Sequence, residues 1–315
     1  MKLQQLRYAL EVYRHNLNVS EAADALFTSQ PGVSKQIRLL EEELGIQIFI
    51  RSGKRIVSVS QPGKDVLQIV ERVLHDIQNI KNIGKEFTRH DKGMLTIATT
   101  HTQARYALPK VVAEFVQHYP KVRLNIRQGS PSAIAQMVAD GEADFAIATE
   151  ANDAGHELRR IPCSFWTYGV VVPNHHPLLQ EKKLSIEAIA QYPLITYEFA
   201  FNDNTNIARA FHKADIHDPH IALLAVDTDI LKTYVKLGLG VGIMAKMAFD
   251  PQADTDLTLL DATHLFEPSY TSILLRPDTY LRGYVYDFIT HFAPELTKEH
   301  IDKLLYSSVE EDFSI

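Results

Sequence analysis

Gln30, Ser34, Lys35 and Arg38 fall at spacings that set them off the apolar stripe Val33, Ile37, Leu40 and Leu44 of a single helix. Gln and Ser offer donors and acceptors to base edges, and Lys and Arg offer charge to phosphates. The chemistry open to this face is therefore the reading of a DNA major groove. Ser29 is a good cap for that helix, and Pro31 sits in its first turn, where a missing N–H costs nothing. Phe49 to Val57 then reads as a strand, a Ser-Gly turn and a second strand, carrying the cations Arg51, Lys54 and Arg55 on a wing. A second polar set has different chemistry. Thr99-Thr100-His101-Thr102-Gln103 lies between a predicted strand and a predicted helix, where hydroxyls and an amide beside free backbone N–H groups can cradle an anion. Gly129-Ser130-Pro131-Ser132 is another start of this kind, Thr149-Glu150 follows a strand end, and Trp166 opens the next α/β unit. Polar loop residues also serve as plain helix caps, and spacing alone leaves both readings open.

These side chains need elements to hold them. Asn18-Val19-Ser20-Glu21 has an Asx residue three positions before a Glu, which starts a first helix over Ala22 to Leu26. Thr28 to Pro31 interrupts it, and the second helix runs to about Leu44 and ends at Gly45. Two short helices, a tight turn and a basic hairpin spell a winged helix-turn-helix; the plainer alternative is a solvated helical hairpin. Between Ser60 and about Thr88, Val66, Ile69, Val73, Ile77, Ile80, Ile83 and Phe87 alternate spacings of three and four on one long helix. So narrow a stripe calls for a second copy of the chain, or else for packing on its own domain.

From Gly93 onward strands and helices alternate: Met94–Ala98, Ala104–His118, Val122–Arg127, Ser132–Asp140 and Asp144–Ala148. A similar unit follows, with strands near Trp166–Val172, Leu194–Tyr197, Ile221–Leu224 and Val241–Met244. The last strand and helix, Thr271–Leu275 and Leu281–Phe292, return to the first unit. The order implies mostly parallel sheets covered on both faces. The expected fold class is α/β with an all-α-rich N-terminal domain. It comprises a winged helix-turn-helix over 1–59, a linker and dimerisation helix over 60–92, and a two-lobed, periplasmic-binding-protein-like effector domain over 93–315. Lobe I is expected at about 93–163 and 266–295, and lobe II at about 164–265.

Composition agrees with a DNA-reading protein without identifying one. A chain of 315 residues with 45% hydrophobic and 23% charged residues can bury real cores. Its single cysteine, Cys163, excludes an intrachain disulfide and reads as a core thiol. Neither a signal-peptide run nor a membrane span is visible, so a cytoplasmic location is expected. The net charge of -7 divides unevenly: residues 1–92 hold 7 Lys and 7 Arg against 4 Asp and 7 Glu, net +3, and the remainder is net -10. A mildly basic reader on an acidic body fits sequence-specific, salt-sensitive DNA binding.

Ala22-Ala23, Leu26, Ser29-Gln30-Pro31, Ser34, Ile37, Leu40-Glu41, Leu44-Gly45, Phe49 and Arg51 resemble the N-terminal signature of the LysR-type transcriptional regulators. The resemblance implies a homo-oligomeric bacterial regulator, a tetramer built as a dimer of dimers, that binds double-stranded promoter DNA and can engage RNA polymerase. Thr99 to Pro109, Gln128 to Pro131, Ala143 to Glu150, Lys232 to Val235 and Leu237 to Gly242 are similar to the regulators of cysteine biosynthesis and sulfur assimilation within that family. In those regulators an acetylated serine is the inducer, and sulfate or a related anion can occupy the cleft. Carried over residue by residue, the resemblance makes Thr100, Thr102, Gln103, Thr149, Trp166 and Asn202 the cleft contacts. Asn202 and Glu198 each stand where Thr is usual, and a Glu facing the cleft would repel an anion. No cofactor and no metal are expected.

Other patterns are weaker. Gly238-Leu239-Gly240-Val241-Gly242 follows a helix and precedes a strand, the reverse of a dinucleotide loop. His212, His217 and His220 do not share a helix face and have no Cys beside them. Asp227 and Asp229 read as caps of the helix beginning near Ile230, and Glu310-Glu311-Asp312 as a solvated tail. No grouping of nucleophile, base and orienter supports an enzyme. The DNA-reading segment and the lack of an export signal count against a pure solute-binding protein.

Overall fold

The computed structural model describes residues 1–53, 55–89, 91–149, 158–202 and 205–306. Lys54, Glu150 and the acidic tail at 310–312 lie outside the described residues. The chain divides into two compact units, Met1–Thr88 and Arg89–Ile315.

The first unit holds α1 (Leu3–Arg14), α2 (Val19–Ala25), α3 (Gln30–Leu44), the hairpin β1 (Phe49–Ser52) and β2 (Arg55–Val59), and α4 (Gln61–Arg89). Helix α1 adds to the expected elements. Its first turn is closed by Gln5, whose carboxamide oxygen accepts the Lys2 N–H at 2.7 Å. Asn18 caps α2 as expected, accepting from Ser20 and Glu21 N–H at 3.1 and 3.3 Å. Glu21 accepts from the Asn18 side-chain amide at 2.6 Å rather than from its backbone. Ser29 accepts the Gly32 N–H at 3.3 Å to start α3, and Gly45, at φ +66, closes it in the left-handed region. Val33, Ile37 and Leu40 are fully buried against Leu6, Ala9, Leu10, Val12, Ile48 and Phe49. Leu44, expected on that stripe, is 38% exposed, and Glu41 is buried instead. The physical reason is the turn at Gly45, which brings Ile48 and Phe49 over the core that one more helical turn would have covered. On α4 the apolar residues divide between two faces. Leu67 and Val70, with Val66 and Leu74 alongside, pack on the unit's own core, while Ile69, Val73, Ile80, Ile83 and Phe87 are exposed. Val66 therefore leaves the expected seam. A side chain at Gly63 would collide with the Ile48 carbonyl, so α4 starts hard against the base of the wing.

The second unit contains two five-stranded sheets. The first has the order β4 (Val122–Gln128), β3 (Gly93–Thr99), β5 (Phe145–Thr149), β12 (Ser269–Leu275), β6 (Arg159–Trp166). The second runs β11 (Leu257–Asp261), β7 (Tyr168–Pro173), β10 (Val241–Ala245), β8 (Leu194–Tyr197), β9 (Ile221–Ala225). Helices α5 (Leu108–His118) and α6 (Pro131–Ala139) serve the first sheet, α7 (Ile186–Ile189), α8 (Asn206–Lys213) and α9 (Thr228–Lys236) the second, and α10 (Gly283–Phe292) and α11 (Lys298–Tyr306) return to the first. Both sheets are mixed rather than mostly parallel. β3 runs parallel to β4 and β5, and β8 to β9 and β10, but β12 and β7 are antiparallel to both of their neighbours.

The expected strand Trp166–Val172 is in fact a boundary between sheets. Trp166 pairs with Ser269 in the first sheet, and Tyr168 pairs with Ala245 in the second, so the chain crosses at Thr167. The first lobe thus extends through Trp166, and also through α11, whose Ile301 and Leu305 complete its core. Strand β6 was hidden by Pro162 and by its irregular alternation of buried and exposed residues. No helix among the described residues is long and apolar enough to cross a membrane.

Candidate functional site

The first candidate surface lies on α3. Gln30, Pro31, Lys35 and Arg38 are exposed and Ser34 is half-buried; with Leu39 and Glu42 they line a shallow depression. The fully buried Val33, Ile37 and Leu40 fix the helix from behind, so the polar face is both open and rigid. Ser29 stays at the helix mouth as its cap, and Arg55 is exposed on the wing. Arg51 lies at the base of the wing. Its guanidinium pairs with Glu41 at 2.9 Å and bonds the Phe49 carbonyl at 3.3 Å. Glu41 also accepts the N–H groups of Ile48 and Phe49 at 2.9 and 3.0 Å. A carboxylate this deep requires such partners, so Arg51 anchors the wing base. Glu41 was visible in the sequence as an acid four residues after Ile37, on the buried side of the helix.

The second site is a cleft of about 170 Å³ between the two sheets, a size comparable to the engineered cavity of about 150 Å³ that holds benzene. It is built at strand ends: Thr100 follows β3, Gln128 ends β4, Thr149 ends β5, Trp166 ends β6, Tyr197 ends β8, Val226 follows β9 and Ala245 ends β10. The Thr100 hydroxyl and the Trp166 indole N–H are both buried and have no hydrogen-bond partner among the described residues. Leaving such groups unpaired costs on the order of 1–3 kcal/mol each, which a ligand acceptor would recover. The Trp166 ring is held edge-on to Tyr168 at 4.7 Å, so its N–H is aimed by packing. Ser130 caps α6 through the Ala133 N–H at 3.3 Å, turning that helix's positive end to the same cavity.

Thr102 and Gln103 line the cleft but already have partners. The Thr102 hydroxyl lies 3.2 Å from that of Thr228 in the second lobe, and the Gln103 amide donates to Thr271 at 3.3 Å. Asn202 is exposed in the turn after β8 and does not line the cavity; from that turn Glu198 and Phe199 do. Asp227 caps α9 through the Ile230 N–H at 2.8 Å, as expected, and also lines the cleft. Asp229, expected as a cap, instead lies within the first turn of α9. It accepts from Tyr106 and pairs with Arg105, each at 2.8 Å, and so clasps the π-helical turn Gln103–Ala107 of the first lobe to α9 of the second. Behind the clasp, Lys232 is buried on Asp254 at 2.9 Å. Burial pulls the ammonium pKa down, but the bonds to Asp254 and Tyr106 outweigh it and hold the pKa above its ordinary value. Tyr197, Phe199, Val226 and Ala245 were missed as lining residues. Applying the strand-end rule to the second lobe as it was applied to the first would have found them.

Two family models match. The bacterial regulatory helix-turn-helix protein of the lysR family covers residues 3–64, and the LysR substrate binding domain covers residues 88–297. The chain is 50% identical over 309 residues to the HTH-type transcriptional regulator SsuR of Burkholderia cenocepacia, covering 98% of this chain and 100% of that one. It is 50% identical over 303 residues to the HTH-type transcriptional regulator CysB of Haemophilus influenzae, covering 96% and 93%. Among solved structures, the cofactor-binding domain of the Cbl transcriptional regulator matches with a TM-score of 0.65 and 39% identity, covering 69% of this chain and 95% of that domain. A helix-turn-helix and a cleft built at strand ends occur here in one sequence whose close relatives are regulators rather than enzymes, and the chain belongs to the LysR family of DNA-binding transcriptional regulators.

Proposed function

We propose that this regulator controls genes of cysteine biosynthesis and sulfur assimilation in response to an acetylated serine, with sulfate or a related anion able to occupy the same cleft. The observation that carries the reading is the pair of buried donors without a partner among the described residues, Thr100 Oγ1 and Trp166 Nε1, on two residues that line one cavity beside the N terminus of α6. The indole N–H can only donate, so the ligand atom it meets is an acceptor. The similarity to CysB supports the pathway. In this reading Gln30, Ser34, Lys35 and Arg38 contact promoter DNA, the exposed face of α4 joins two copies, and pairs of dimers form a cytoplasmic tetramer whose packing shifts when the cleft fills. A second reading, regulation of another sulfur-source or organosulfur pathway with a different inducer, is favoured by the equal similarity to SsuR and by Glu198 at the cleft.

A thermal-shift series with acetylserine isomers, sulfate and thiosulfate tests the reading, because a ligand that binds only the folded state raises its midpoint. Acetylserine is expected to raise it in the intact chain and not in a Trp166→Phe variant. Equal shifts in both proteins would remove Trp166 from the site, and a response to thiosulfate alone would favour the second reading.

A further inference from the structure

The two lobes meet beside the cleft along the first turn of α9. The fully buried Thr228 hydroxyl lies 3.2 Å from that of Thr102 in the first lobe and 2.9 Å from that of Tyr197 in the second. The Tyr197 hydroxyl in turn accepts the Ala245 N–H at 3.1 Å. Thr102, Tyr197 and Ala245 all line the cavity, so this row of bonds is part of its wall. One residue on, Asp229 accepts from Tyr106 and pairs with Arg105. The Arg105 side chain is more than half exposed, and an ion pair so open to water contributes little. Tyr106 is better protected. It is half-buried, the Lys232 ammonium lies 5.3 Å from its ring centroid, and its hydroxyl donates to a carboxylate. Lys232 is itself fixed from behind by Asp254 and the Ala248 carbonyl.

The first lobe presents Tyr106 through an irregular turn. In Gln103–Ala107 the Leu108 N–H reaches back to the Gln103 carbonyl, one residue farther than in an α-helix. Gln103 and Leu108 are both buried, so both ends of the turn are held and the extra residue is taken up between them, where the turn meets α9. Turns of this kind are rare and concentrate at functional sites. We propose that Asp229 is a positioning residue for the effector cleft: by holding Tyr106 it keeps the π-helical turn of the first lobe against α9 of the second, and the cavity closed over Trp166. The inference rests on the cleft being the effector site for its functional consequence, which is that closure governs how long the effector stays bound.

Trp166 is the chain's single tryptophan and is 8% exposed, so quenching of its fluorescence by acrylamide reports opening of the cleft without any ligand. In the full chain, Asp229→Ala is expected to raise the quenching constant about threefold or more. Tyr106→Phe keeps the ring over Lys232 and removes only the hydroxyl, so it is expected to raise the constant by less. The double variant is expected to match Asp229→Ala, because its second substitution removes a bond already lost. Asp261→Ala, which breaks the exposed pair with Lys246 at 3.1 Å, is expected to change nothing. An unchanged constant in Asp229→Ala, an equal rise in Asp261→Ala, or a double variant whose change is the product of the two single changes overturns the proposal. If Asp229→Ala does not fold, Tyr106→Phe decides alone, by a rise or by none. Stopped-flow release of acetylserine is expected to be about tenfold faster from Asp229→Ala than from the wild type. Unchanged release beside raised quenching overturns the positioning role. If quenching rises in the variant but no acetylserine isomer binds the wild type, the clasp stands and the effector reading falls.

Discussion

The proposed reading helix and the proposed effector cleft set similar side chains in opposite surroundings. On α3 the functional groups are exposed, lie within one short stretch, and are fixed by apolar neighbours three and four residues away. In the cleft Thr100, Gln103, Thr149 and Trp166 are buried, the lining comes from strand ends spread between Thr100 and Ala245, and the order of two sheets brings it together. A surface that must meet a large rigid partner can keep its polar groups in water until contact. A pocket for a small ligand must remove its groups from water beforehand and leave them unpaired, which lowers the stability of the empty protein.

This difference makes substitutions behave differently in the two regions. The largest effect is expected at Lys232→Met, which strands the buried Asp254 carboxylate and is predicted to lower effector-unit stability by about 3–5 kcal/mol in denaturant titration. The pair's contribution should be complete below the ordinary lysine range and fade as alkali deprotonates the ammonium, because the folded pKa is the higher one. A loss below about 1 kcal/mol would mean that the clasp does not rely on this pair. In the reading unit, Arg38→Ala should leave stability within about 0.5 kcal/mol while weakening operator binding by roughly 1–3 kcal/mol. Arg51→Ala should affect both, since it also costs Glu41 a partner, on the order of 1–3 kcal/mol. Identical behaviour of the two variants would erase the distinction between a contact and an anchor. The smallest effect concerns Cys163, whose thiol pKa burial pushes up to about 11. Alkylation of the folded protein at pH 8 should then be slower than that of the unfolded chain by roughly a hundredfold or more, and comparable rates would place the thiol at the surface.

The same contrast explains what could be read in the sequence. The caps Asn18 and Ser29, the stop at Gly45 and the buried stripe of α3 are local signals, and each is found in the structure as expected except for Leu44. The inward turn of Arg51 was not legible, because it depends on a carboxylate ten positions earlier that only the folded wing brings alongside. In the effector unit the ends of β3 and β5 were legible from alternation, and Thr100 and Thr149 lie where that reading needs them, whereas Trp166, read as opening the second unit, ends β6 of the first. Strand β6 and the crossing at Thr167 were not legible, since a strand interrupted by proline and shared between sheets has no clean period. Asn202 was drawn into the site by similarity at its position, whereas the turn after β8 presents Glu198 and Phe199 to the cavity instead.

Footprinting of wild-type and Thr100→Val chains on one operator, with and without acetylserine, tests most directly the proposed link between the cleft and the exposed face of α3. Both proteins should protect the same bases without ligand, and only the wild type should change its protection when ligand is added. A ligand-dependent change of equal size in Thr100→Val would contradict the account.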